Sequence, residues 1–448
     1  MAENGHGVRL LADHYARSGS KGAAAARGGS RSVWACIHAA TVVVGAGSLA
    51  LPQAFEQLGL ILGPGSVLVA GALSARALAD LLCVKGAAAS ASLGRKGAAA
   101  SVALPPMGLA EVSAEVLGRP MGCIVRMLLA FRDVSVAAVH ASLATVTLRI
   151  SVGEHLACNA VHAPGGSESD RARFAVCHSH PAALLAAVLL LALPLTCLSA
   201  RCLARLYVVG VTALAVVATA ASVTGLLWTQ ALPLQSLPLL PHGPEAVASS
   251  FGVAAFLFCT HFRVLPPLLP ATSSRVACSC LTSTVIMGTI VLNITVGLLG
   301  APLLRVAMDQ GGCFADRCLV TRLVRWLICC GNFALCPAML APAIEQIRRT
   351  WTQCPHWAAL AFLACATFSM AQLGEAVQIA NITGGGVQCL AGFVIPPALA
   401  IWALPWQSSL QTMSRVVLLL IGMASAVVST YALLKPMAPG QPLAAIMA

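Results

Sequence analysis

The sequence predicts an all-α polytopic membrane protein, on three observations. Hydrophobic residues make up 58% of the 448 residues and charged residues only 9%, with a mean hydropathy of +0.85. An ordinary soluble domain carries about 25% charged residues. Apolar stretches recur about eleven times along the chain, each matching the roughly 17–25 residues a helix needs to cross a bilayer. The first stretch is interrupted by Gly45, Gly47, Ser48 and Pro52, where a plain anchor would carry leucine and isoleucine. Backbone freed by such residues is tolerated at membrane depth only where it is buried in protein or lines a cavity. Broken helices of this kind expose N–H and C=O groups to substrates and ions in secondary transporters.

Residues 1–32 lack the apolar core of a signal peptide, and their Gly, Ala, Ser and Arg content predicts a disordered cytosolic tail. A transmembrane domain is expected over 33–434, followed by a short tail, 435–448. Within the domain, spans are placed near 33–56, 59–84, 121–149, 182–199, 205–228, 247–269, 279–301, 322–344, 357–378, 382–405 and 413–434. Arg76 and Asp80 in the second span stand four residues apart, the spacing of an ion pair along one helix. Residues 85–101 repeat K-G-A-A-A-S at Lys85 and Lys96 and read as low-complexity sequence. G-L-A-E-V-S-A-E-V-L-G-R-P at 108–120 reads as a short amphipathic cytosolic helix. Lys85, Arg95, Lys96, Arg119, Arg201, Arg205, Arg275, Arg348 and Arg349 all fall on the N-terminal side, which places the N-terminus in the cytosol. The same anchoring accounts for the net charge of +12, so no nucleic-acid partner is expected.

Several blocks carry a resemblance. The first span reads T-V-V-V-G-A-G-S-L-A-L-P-Q-A from Thr41. It is followed by L-P-L-T-C-L-S-A-R-C-L-A-R-L at 193–206, F-L-F-C-T-H-F-R-V-L-P at 256–266, C-P-A-M-L-A-P at 336–342 and N-I-T-G-G-G-V-Q-C-L-A-G-F-V-I-P-P-A at 381–398. In order and spacing these resemble the amino acid/auxin permease family. The resemblance implies the bacterial leucine transporter fold, with two inverted repeats of five helices plus one added helix. It also implies an amino acid as substrate.

A free amino acid presents a carboxylate and an ammonium group. The N-terminal end of a half-helix suits the carboxylate and carbonyls at a C-terminal end suit the ammonium. Val44, Gly45, Ala46, Gly47 and Ser48 are where the first span is expected to unwind, opposite Phe256, Phe258, Cys259 and His261 in the sixth. The plainer reading of the glycines is close helix packing. In the third span Arg126, Asp133 and His140 recur every seven residues and share one face. His140 stands where sodium-coupled relatives carry a carboxylate-holding tyrosine. Its imidazole titrates near pH ~6.5 when unperturbed, and the competing role for this set is a satisfied structural network. Arg132 lies off that face.

The coupling ion is read from departures. Thr41, Phe333 and Leu335 occupy positions where sodium-coupled relatives place asparagine and threonines, and a hard cation needs several oxygen ligands. His38 and Thr41 instead match the proton-coupled plant permeases. A proton is therefore the favoured coupling ion and sodium the alternative, with His38, Thr41 and Asp133 as ion-coupling candidates beside His140 and His261. No cofactor, metal-ligand spacing, P-loop or nucleophile motif is found, and an enzyme is not expected. Cys158 with Cys177, and Cys313 with Cys318, fall in outer loops at spacings that permit disulfides. The sequons at Asn293 and Asn381 fall in or beside spans, where glycosylation is not expected. The expected function is secondary active amino acid transport by proton symport. The alternatives are a sodium-coupled neutral amino acid transporter and a membrane sensor that binds the same substrate. The plasma membrane is the favoured location and the vacuolar or lysosomal membrane the other.

Overall fold

A computed structural model describes residues 46–96, 108–162, 181–227, 238–241, 244–258, 275–301, 303–304, 319–372, 376–404 and 408–434. Among them the regular structure is entirely helical. The helices are α1 (Ala46–Lys96), α2 (Leu109–Leu117), α3 (Arg119–His162), α4 (Pro181–Leu195), α5 (Ala200–Leu227), α6 (Pro244–Phe258), α7 (Arg275–Leu299), α8 (Leu319–Thr350) and α9 (His356–Gln372). Next comes α10 (Ala376–Ile382), which runs through two π-helical stretches, Thr383–Gln388 and Leu390–Val394, into α11 (Ile395–Ala403). The last is α12 (Ser409–Leu434). The stretches Gly47–Val84, Cys202–Leu227, Leu319–Thr350, Gln378–Ala403 and Ser409–Ser429 are each long and apolar enough to cross a bilayer, and Pro181–Leu195 and Ile286–Leu299 are shorter apolar helices.

The first of these is two helices rather than one rod. Gly59 has φ +79°, a conformation that L side chains rarely adopt, and it turns the chain between the two halves of α1. Its surroundings also exclude a β-carbon, because the Pro238 carbonyl lies against it. Beyond the turn, the Leu60 N–H donates to the Pro238 carbonyl at 2.9 Å. The expected boundary between the first two spans, 56–59, is met here. The sixth apolar stretch is described only as far as Phe258.

Hydroxyl side chains cost little inside these helices because they bond within their own turn. Thr145 donates to the Ala141 carbonyl at 2.7 Å and Thr147 to Leu143 at 2.7 Å, and Ser151 donates to Thr147 at 2.8 Å. Pro337 and Pro342 stand inside α8, where each removes one ladder hydrogen bond. The core is continuous across α3, α4, α8, α9 and α10, where Val139, Leu189, Leu340, Leu363 and Ile379 pack together. A second cluster joins α1 to α6 and α7 through Phe55, Leu257 and Ile290. The Phe55 ring lies between Gly63 and Gly297, and a β-carbon on either would meet it. Small residues let helices approach where no hydrophobic force drives them together in lipid.

The amphipathic segment does fold as α2. The Glu111 carboxylate accepts from the Gly108 N–H at 3.1 Å, capping its start. Glu111 also sits 4.0 Å from Arg126 and 3.6 Å from Arg349, tying α2 to α3 and α8. Arg76 and Asp80 pair as expected, at 3.4 Å. A third partner was not expected: the Arg415 Nε donates to the same Asp80 oxygen at 3.1 Å and joins α12 to α1. Both of those side chains are buried. Arg415→Leu is therefore expected to lower detergent-solubilised yield and melting temperature, since removing one partner of a buried pair costs about 3–5 kcal/mol. The double variant Arg415→Leu, Asp80→Leu should recover much of that loss. Unchanged melting in the single variant would show the pair to be dispensable.

The expected tails, 1–32 and 435–448, lie outside the described residues, as do Cys177, Cys313 and Cys318. Cys158 lies in the backbone of α3.

Candidate functional site

The first and sixth apolar stretches meet at Gly47, Phe256 and Leu257. Gly47 and Ser48 are buried in the first turn of α1. A β-carbon on Gly47 would lie 2.8 Å from Phe256 Cδ1 and 2.8 Å from Leu257 Cδ2, both on α6. Close packing therefore accounts for Gly47 itself, which is helical. The expected unwinding concerns Val44 and Gly45, which lie outside the described residues, as do His38, Thr41, Cys259 and His261. Ala46 is the first residue of α1. Phe256 and Phe258 are 4% and 0% exposed, so their rings form part of the packed wall.

Ser48 is committed to a partner that the sequence reading used only as a sequon. Its hydroxyl donates to Asn293 Oδ1 at 2.6 Å, linking α1 to α7. The Asn293 amide nitrogen is buried with no hydrogen-bond partner. On the other side of α6 stands the glycine run of the tenth apolar stretch. A β-carbon on Gly384 would meet the Gly252 carbonyl, the Phe256 N and, at 2.8 Å, the Phe256 Cβ. Phe256 thus touches Gly47 through its ring and Gly384 through its backbone end. The three glycines 384–386 lie in a π-helical turn, a form frequent at functional sites. Asn381 Oδ1, Thr383 Oγ1 and both amide atoms of Gln388 are buried there without hydrogen-bond partners.

The expected face of α3 divides among three partners. Arg126 faces Glu111 at 4.0 Å. Asp133 holds Arg132, with Nη2 to Oδ1 at 2.8 Å and both side chains buried. Arg132, which had no place on that face, is thereby explained, and the pair answers the charge of each member inside an apolar helix. His140 is 3% exposed, and its Nδ1 lies 2.7 Å from Asn332 Oδ1 on α8. Asn332 is fully buried, and its Nδ2 donates to the Ile328 carbonyl at 2.8 Å. Cys329 on α8 donates to the Ala144 carbonyl at 3.6 Å, fixing the register of the two helices one turn away. Asn332 was missed in the sequence. Its signal was an amide in an otherwise apolar span, where polar residues act as interhelical glue. Phe333 is partly buried against the α3–α8 core, and Leu335 packs against Val211 and Leu214 of α5.

The arrangement is a close approach of the first, sixth and tenth apolar stretches beside buried neutral polar groups, with Arg126, Arg132 and Asp133 of α3 already paired. It suits a small ligand with both polar ends and an apolar body. The family model described as "transmembrane amino acid transporter protein" matches residues 29–300. No curated protein matches the chain significantly. The matched residues include α1 to α7 and both sides of the Gly47–Phe256 contact.

Proposed function

We propose, from the premise that this chain belongs to the transmembrane amino acid transporter family, that it carries an amino acid by proton-coupled symport with alternating access. The family and the apolar helices make it an integral, multi-pass membrane protein. The architecture is proposed as about eleven spans in a leucine transporter-like arrangement of five plus five helices and one more. The observation that carries the site is the contact of Gly47 with Phe256 and Leu257. It brings the first and sixth apolar stretches together, and breaks in the two helices there would offer N–H groups to a carboxylate and carbonyls to an ammonium.

In this reading Val44, Gly45, Ala46, Gly47 and Ser48 face Phe256, Phe258, Cys259 and His261 across the substrate, and His140 reaches its carboxylate. His38, Thr41 and Asp133 remain ion-coupling candidates. The Arg132–Asp133 pair supports a structural role for Asp133, because coupling through it would have to break that bond. The proposal is tested by uptake of a panel of labelled amino acids into proteoliposomes. Accumulation of at least one of them above protein-free vesicles supports it. Saturable binding without uptake would replace transport with sensing.

The proposed topology puts the two termini on opposite faces. With a cytosolic N-terminus, a tag placed after Lys435 should be cleaved by external protease in intact cells if the protein is at the plasma membrane. Cleavage only after permeabilisation would overturn the eleven-span count.

A further inference from the structure

We infer that Asn332 is a positioning residue that makes carboxylate binding at His140 conditional on a proton. This rests on the proposed placement of His140 against the substrate carboxylate. The orientation of the Asn332 amide is fixed by its two partners. Only the NH2 end of Asn332 can donate to the Ile328 carbonyl, so its oxygen faces His140. That oxygen is purely an acceptor, so His140 Nδ1 must carry the hydrogen of the 2.7 Å bond. In the neutral imidazole one ring nitrogen is a donor and the other an acceptor. With Nδ1–H held by Asn332, the remaining nitrogen, Nε2, presents a lone pair. A lone pair repels a carboxylate. Adding a proton to Nε2 turns the same atom into a charged donor, with no movement of the ring.

Proton and substrate then occupy the site together. The proton enters on Nε2 as the carboxylate arrives, and it leaves when the carboxylate departs on the other side. A neutral histidine free to choose its tautomer would lose this condition, because Nε2–H could serve the carboxylate without any added charge. Asn332 removes that choice.

The titratable groups around His140 leave this logic to the imidazole itself. From α8 come Cys329, bonded to the Ala144 carbonyl, Cys336, and Arg325 about two turns outward. α4, α10 and the first π-helical stretch carry no ionisable residue, and Cys389 lies just beyond that stretch. α9 carries Cys365 and, at its start, His356. α2 carries Glu111, which faces Arg126 and Arg349, and Glu115. The second half of α1 contributes the Arg76–Asp80 pair. On α3 itself the Arg132–Asp133 pair lies about two turns inward, and Arg149 lies outward.

The test measures KM for amino acid uptake in proteoliposomes as a function of pH, for the intact protein and three variants. For the intact protein, KM should rise about tenfold per pH unit above the titration range of His140, the slope of one linked proton. His140→Gln supplies a permanent N–H donor, so its KM should vary by less than about threefold over the same range and uptake should persist without a proton gradient. Asn332→Leu frees the tautomer and should flatten the KM profile in the same way, with kcat changing less. Asn332→Asp also accepts from Nδ1, but its carboxylate favours the charged imidazole, so the steep part of the profile should move to higher pH. A steep profile in either His140→Gln or Asn332→Leu would overturn the inference while leaving transport intact. A profile in Asn332→Asp that stays where it is in the intact protein would overturn it as well. If Asn332→Leu does not fold, His140→Gln and Asn332→Asp decide the matter alone. Uptake by no amino acid in the intact protein would overturn the transport reading and the inference with it.

Discussion

Gly47→Leu is expected to abolish amino acid uptake. The β-carbon alone would come within 2.8 Å of both Phe256 and Leu257, closer than real side chains approach one another. The two contacting atoms are ends of flexible side chains, so Gly47→Ala can be accommodated by small shifts and should keep a measurable fraction of uptake. A leucine adds a branched body that the packed wall of Phe55, Leu257 and Phe258 has no room for. Over-packing of this kind costs about 1–3 kcal/mol, and the movement it forces falls on the proposed substrate site. Uptake should be normalised to protein at the cell surface. Normal uptake in the leucine variant would show that α1 and α6 separate during transport more widely than this packing implies. Parallel loss of uptake and surface protein would assign Gly47 to folding.

Uptake is expected to rise with an inward proton gradient and to persist when sodium is replaced by choline. Three positions carry this expectation. Thr41, Phe333 and Leu335 leave few side-chain oxygens at the places where sodium-coupled relatives bind their cation. Leu335 lies among Val211 and Leu214 of α5, a dry apolar setting unlike the oxygen cage a hard cation requires. His140 offers an imidazole that can take up a proton, and it is bonded across to α8 by one neutral amide. His140→Ala removes the imidazole and should lower uptake at least about tenfold, a typical loss for a buried hydrogen-bonding group in a binding site. The variant should also lose its response to the proton gradient. Uptake that requires sodium and ignores pH would refute proton coupling and point to backbone carbonyls as the cation site.

Much of the helical organisation was legible without coordinates. Apolar runs of spanning length, the boundary between the first two of them at 56–59 and the amphipathic helix within 108–120 follow from local hydropathy and its period, whereas the positive φ of Gly59 and the Glu111 cap came from the structure. The Arg76–Asp80 pair was legible for the same reason, since four residues along one helix fix the distance. The family was legible too, because its glycines and prolines lie in short ordered blocks.

What the sequence could not decide were the contacts between helices distant along the chain. Arg415 joins Asp80 across 335 residues, Ser48 joins Asn293 across 245, and His140 joins Asn332 across 192. Periodicity placed Arg126, Asp133 and His140 on one face, yet it could not show that each answers to a different neighbour. Helical spacing fixes which side of its own helix a residue occupies, but not which other helix packs there. In an apolar solvent every spanning helix is greasy on all sides, so hydropathy does not mark the buried face. The partners of the few polar groups, and through Asn332 the tautomer of His140, were settled only when the helices packed together. The sequence by itself determined that this chain is an integral, multi-pass membrane protein of the amino acid transporter family. The tertiary structure decided which buried polar atoms satisfy one another.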